Sequence, residues 1–125
     1  MDIKKYQEWT LSTAVYPGAG QHNFQEIVYL TLGLASEAGE LAGKLKKIVR
    51  GDNINPEDFV AEAGDVLWYL ARICDNLNID LEQLAEYNCK KLSARKEAGT
   101  IQGEDQDDGS RIITAGHCGC VEDNK

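Results

Sequence analysis

The chain has 125 residues, 42% apolar and 27% charged, with a formal charge of −8. That composition suits one globular domain with a modest core and excludes a disordered chain. The acidic balance argues against nonspecific binding to a nucleic acid backbone, which needs clustered Lys and Arg, and no apolar run approaches the roughly 20 residues of a membrane helix.

In chain order the elements read as helices. Met1-Asp2-Ile3-Lys4-Lys5 has no signal-peptide core behind it, so a cytoplasmic protein is expected. Asp2 caps a first helix through about Val15, with Ile3, Tyr6, Thr10 and Ala14 on one side. Pro17-Gly18-Ala19-Gly20 breaks it, and a loop from Tyr16 to Asn23 leads into a long helix over 24–50. Gly33, Gly39 and Gly43 weaken that helix by about 1 kcal/mol each relative to Ala, which suggests close backbone or ligand approach there. Lys46, Lys47 and Arg50 before Gly51 form its stop signal. Asn55-Pro56-Glu57-Asp58 starts a third helix over 56–77 through a cap, a first-turn proline and acids at the positive dipole end. Asn78 closes it. Asp80 caps a fourth helix through Glu97, with Leu81, Leu84, Ala85, Asn88 and Leu92 inward, and Gly99 ends it.

Residues 1–98 thus read as one all-α, four-helix-bundle-like domain. Residues 99–125 read as an acidic, mobile tail, with Glu104-Asp105-Gln106-Asp107-Asp108-Gly109 at its centre. Helices of this length leave apolar flanks that a monomer covers poorly, so a homodimer or homotetramer is expected to complete the bundle. Cys74 and Cys89 lie in helical segments and read as packed thiols. His117-Cys118-Gly119-Cys120 offers three potential ligands where a zinc site normally needs four.

Two acidic pairs dominate the centre: Glu37-Ala38-Gly39-Glu40 and Glu62-Ala63-Gly64-Asp65. Residues three apart share a helix face, so each pair points its carboxylates the same way. At about 100° per residue, Leu30, Leu34, Leu41, Leu45 and Ile48 form one stripe, with Glu37 about 50° from its centre and Glu40 further round. Phe59, Val66, Leu70, Ile73 and Leu77 form the other, flanked by Glu62, Asp65 and Tyr69. Side-by-side packing would bring four carboxylates to one seam. They would then need protons or a cation. Oxygen donors suit Mg²⁺ or Mn²⁺, and Mg²⁺ is commonly shared with substrate phosphates. The competing reading is ordinary solvated acids, with Glu40 and Glu62 paired to lysines.

The fourth helix supplies positive charge: Asn88, Lys91 and Arg95 fall at i, i+3 and i+7. Arg holds phosphate oxygens bidentately and Lys acts as a point charge, although both also snorkel at domain edges. Lys44, one turn beyond Glu40, is a further phosphate candidate, with a salt bridge to Glu40 as the simpler account. Tyr69, one turn after Asp65, is the best aromatic for base contact.

Glu37-x-x-Glu40, a spacer and Glu62-x-x-Asp65 resemble the motif of the MazG-like all-α nucleoside triphosphate pyrophosphohydrolases. Gly33-Leu34-Ala35-Ser36-Glu37-Ala38-Gly39-Glu40-Leu41 and Glu62-Ala63-Gly64-Asp65-Val66-Leu67-Trp68-Tyr69-Leu70 resemble that family's two signature helices. Asn88, Lys91 and Arg95 resemble its last helix, and Gly99-Thr100 and Arg111 echo its ending. The resemblance spans roughly residues 24–111. This chain departs from it with extra acids between Gly103 and Arg111, and with Ala98 where a basic residue is common.

The resemblance implies metal-dependent hydrolysis of nucleoside triphosphates, including deoxynucleotides, to a monophosphate and pyrophosphate. Glu37, Glu40, Glu62 and Asp65 would hold Mg²⁺, with Mn²⁺ as a substitute, and Glu37 would orient or deprotonate the attacking water. Lys91, Arg95 and Lys44 would hold phosphates. Asn88, Tyr69, Trp9 and His22 would contact the nucleotide, with Tyr6, Asn23 and Trp68 as further candidates. Alternatives are a non-catalytic nucleotide-binding helical oligomer and a related pyrophosphatase for dUTP, dCTP or phosphoribosyl-ATP. A di-iron bundle would require Glu-x-x-His on two helices, which this chain lacks.

Overall fold

The computed structural model describes residues 1–101; the acidic run at 104–109, Arg111 and His117-Cys118-Gly119-Cys120 lie outside the described residues. Four α-helices follow one another: α1 (Ile3–Thr10), α2 (Phe24–Val49), α3 (Pro56–Asn76) and α4 (Leu81–Glu97). Among the described residues there is no strand.

The capping chemistry forms as the sequence dictates. Asp2 Oδ1 accepts from the Lys5 N–H at 2.8 Å, Asn23 Oδ1 from Glu26 at 2.9 Å, and Asn55 Oδ1 from Glu57 at 3.2 Å. Gln83 Oε1 accepts from the Asp80 N–H at 2.9 Å, closing a capping box at α4. Asn78, at φ 56°, makes the tight turn between α3 and α4.

The first helix is shorter than its apolar pattern suggests. After Thr10 the chain tightens into a 3₁₀ turn over Leu11–Thr13. The hydroxyls of Thr10, Ser12 and Thr13 each donate to the carbonyl three residues back, at 2.6, 2.7 and 3.0 Å. These local bonds compete with the i to i−4 ladder, so Ala14 lies outside the helix.

Helices α2 and α3 make the most extensive packing in the fold. Their antiparallel register is marked by three facing pairs: Glu26 with Asn76, Gly33 with Tyr69, and Glu37 with Asp65. Leu30, between the first two, is fully buried. That burial contributes about 2 kcal/mol relative to an exposed side chain. A small core of Ala71, Cys74 and Leu81 joins α3 to α4, with Tyr6, Leu70, Ile79 and Leu84 packed against it. Gln7 ties α1 to the same corner: its Nε2 donates to the Ile79 carbonyl at 3.0 Å, and its Oε1 accepts from the Leu81 N–H at 2.6 Å.

Much of the apolar surface is uncovered in the single chain. Phe24 is 79% exposed, Leu32 67% and Val49 83%, and Leu45, Ile48 and Val60 are also open. Of the residues expected inward on α4, Leu81 is buried and Leu84 half-buried, whereas Ala85, Asn88 and Leu92 are exposed. Among the described residues, the stripe is well buried near the N-terminus of α4 and exposed beyond it.

Candidate functional site

One face of α2 carries, in order, Glu26, Leu30, Gly33 and Glu37, and each meets a different part of α3. At the Glu37 level three carboxylates come together. Glu37, Glu62 and Asp65 each offer an oxygen, and these oxygens all lie within 4.8 Å of one another. Glu37 and Glu62 are half-buried and Asp65 is exposed. At 4.8 Å, two ionised carboxylates repel by about 3 kcal/mol at an effective dielectric near 20. The consequence shows in Glu37: burial, and then the charges of Asp65, Glu62 and Glu40, push its carboxyl above the ordinary range. Three hard oxygen donors converging with surplus negative charge fit a divalent cation of the Mg²⁺ or Mn²⁺ kind.

Glu40 takes a different place from the one its spacing suggests. It is exposed and stands apart from the trio, acting on Glu37 through its charge. Lys44 also departs from its simplest reading. Its Nζ reaches Glu62 across the seam at 3.2 Å, with both side chains mostly buried. The antiparallel register sets α3's Glu62 level with Glu40, so Lys44 reaches back one turn along the seam to neutralise a half-buried acid of the trio.

Aromatic side chains gather around the same level. The Tyr6 hydroxyl on α1 is pushed up in pKa by burial and then by the charge of Asp65. The Tyr69 hydroxyl is pushed up by burial and by neighbouring Tyr29, Glu37 and Asp65. Trp68 meets Tyr69 edge-on at 5.0 Å and Tyr16 at 6.2 Å, and its indole N–H donates to Thr13 Oγ1 at 2.8 Å. Trp9 is half exposed, 6.0 Å from Tyr6.

His22 and Asn23 sit elsewhere. Asn23 is the cap of α2, and its carbonyl accepts from Asn76 Nδ2 at 3.4 Å. The His22 ring faces Asp75 at 3.5 Å. At 1.5 Å per residue, Asp75 lies about 15 Å along α3 from Asp65. On α4, Asn88 is exposed and Lys91 and Arg95 are half-buried; Arg95 donates to the Ile101 carbonyl at 3.3 Å.

Sequence reasoning missed the group that anchors the loop before α2. Glu26 is only 1% exposed. Its carboxylate accepts from the Tyr16 hydroxyl at 2.6 Å, the Gly20 N–H at 2.8 Å, the His22 N–H at 2.7 Å and Asn76 Nδ2 at 3.0 Å. Burial alone would raise its pKa, but these four donors hold it down to about 2. Burial and the same contact push the Tyr16 hydroxyl up to about 12. The available signal was Asn23-x-x-Glu26, which resembles a capping box; nothing in it indicates that the glutamate turns inward. Arg72 was missed too: it is 1% exposed and donates to Asp75 at 2.8 Å.

Comparison with known proteins identifies the family. The MazG nucleotide pyrophosphohydrolase domain matches residues 25–100, a stretch that contains the whole acid trio. The chain is 42% identical over 109 residues to the Gene 37 protein of Mycobacterium phage L5, covering 82% of this chain and 96% of that relative. No solved structure matches it. With the family's domain spanning more than half its length and its acids drawn together across α2 and α3, the chain belongs to the MazG nucleotide pyrophosphohydrolase family.

Proposed function

We propose that this protein hydrolyses nucleoside triphosphates, deoxynucleotides among them, to the monophosphate and pyrophosphate with Mg²⁺ as cofactor. The observation that carries the reading is the convergence of Glu37, Glu62 and Asp65 to within 4.8 Å. Those three would hold the metal, with Glu40 at the rim completing the acidic set. A Mg²⁺ ion held there would supply neutralisation of phosphate charge. Glu37, more shielded than Glu40, orients the attacking water and accepts its proton. Lys91 and Arg95 steady the phosphates, Lys44 tempers the charge of Glu62, and Tyr69, Trp9, Asn88 and His22 serve the nucleoside end.

The open apolar flank of α2, from Phe24 and Leu32 to Val49, supports assembly into a homodimer or homotetramer that covers it. The test of function is a panel of common NTPs and dNTPs assayed with Mg²⁺ and Mn²⁺, reading monophosphate and pyrophosphate together. Equimolar release of both from at least one substrate supports the reading. Tight metal-dependent nucleotide binding with no product would replace it with a non-catalytic binder.

A further inference from the structure

The helical glycines of α2 and α3 are not equivalent. A Cβ built on Gly39, Gly43 or Gly64 would meet nothing within 4 Å. A Cβ built on Gly33 would overlap the ring of Tyr69, nearest its Cε1 and Cζ, with the hydroxyl oxygen at 2.8 Å. Trp68 also packs against the ring, edge-on at 5.0 Å. Gly33 therefore lets the Tyr69 ring lie directly on the α2 backbone, and this contact fixes how closely α2 approaches α3 at that level.

The level matters because of what stands next to it. Gly33 precedes Glu37 by one turn on the same face of α2, and Tyr69 follows Asp65 by one turn on the same face of α3. The contact is thus about 6 Å along the seam from the acids. Metal ligation tolerates only about 0.2 Å of error in donor distance. Relieving an overlap between a methyl group and an aromatic ring requires a displacement on the order of 1 Å, several times that tolerance.

We propose that Gly33 and Tyr69 form the spacer that sets the separation of the carboxylates of Glu37, Glu62 and Asp65, making both positioning residues for the metal site. The proposal rests on the acid trio being the metal site put forward above. It also gives a reason for a glycine in mid-helix, where alanine is ordinarily the more stable choice.

The test titrates Mn²⁺ into the full chain, following free Mn²⁺ by electron paramagnetic resonance, and pairs each titration with a metal-free thermal melt. The wild type is compared with Gly33→Ala, Tyr69→Ala, the double variant and Gly64→Ala. Gly33→Ala is expected to weaken Mn²⁺ binding at least tenfold and to lower Tm. Gly64→Ala, the same chemical change in open space, is expected to leave binding within twofold and to raise Tm. On the Tyr69→Ala background, where the ring is gone, adding Gly33→Ala is expected to leave binding within twofold. That background keeps the comparison measurable if Gly33→Ala alone folds poorly.

Binding within twofold of wild type in Gly33→Ala overturns the positioning role and leaves the metal site standing, even if Tm falls. A tenfold loss on the Tyr69→Ala background overturns it as well. A wild type that takes up no Mn²⁺ removes the metal-site reading and the positioning role together, a result distinguishable from the other two.

Discussion

Replacing Glu26 with glutamine tests a fully buried charge. Its carboxylate collects four donors at 2.6–3.0 Å, and its pKa is held at about 2 against an ordinary 4.5. A shift of that size corresponds to about 3 kcal/mol of stability by linkage. The sign follows from the depressed folded pKa: the contribution is fully present above pH 4.5 and is lost as pH falls from about 4.5 to about 2. Glu26→Gln removes the charge and turns an NH₂ group toward donors that need an acceptor. The expected cost at pH 7 is about 3 kcal/mol, or roughly 15 °C in Tm for a domain near 100 residues. Melts at fixed protein concentration should show a wide gap between wild type and variant at pH 7 that narrows steadily toward pH 2.5. An equal gap at both pH values would refute the reasoning, because the charge would then contribute nothing.

Three other expectations concern separate parts of the molecule. Gln7→Ala strips the Leu81 N–H and the Ile79 carbonyl of their partner, and should cost about 2 kcal/mol in a urea melt; a loss under 0.5 would mean water replaces the side chain without penalty. Lys44→Ala leaves Glu62 without its cation, so the metal-free protein should lose about 1 kcal/mol while Mg²⁺ raises Tm by more than in the wild type; a smaller Mg²⁺ increment would show that Lys44 does not offset the trio's repulsion. Asp65→Asn should lower pyrophosphate release at least 100-fold with the fold retained by circular dichroism, and undiminished release would remove Asp65 from the mechanism.

Local signals carried the helices well. Asp2, Asn55 and Asp80 all mark helix starts, because a short polar side chain before an apolar-periodic run satisfies orphan N–H groups wherever the helix lies. The acidic pairing was legible for a similar reason: i, i+3 spacing fixes the face within one helix. What spacing within one helix does not fix is the register between two helices. Contacts across the seam pair Lys44 with Glu62 instead of Glu40 and leave Glu40 exposed. The inward turn of Glu26 was illegible because it depends on Tyr16, Gly20 and His22 of the preceding loop converging with Asn76 of α3. The apolar flank of α2 was legible as a surplus of hydrophobic residues, although the stripe that included Leu45 and Ile48 is half open in the single chain.

The most direct measurement is the anomalous scattering of crystals grown with Mn²⁺. A peak within coordination distance, about 2.2 Å, of oxygens from Glu37, Glu62 and Asp65 together is the expected result. Mn²⁺ bound at some other group, with those three side chains separated into solvent, would contradict the account.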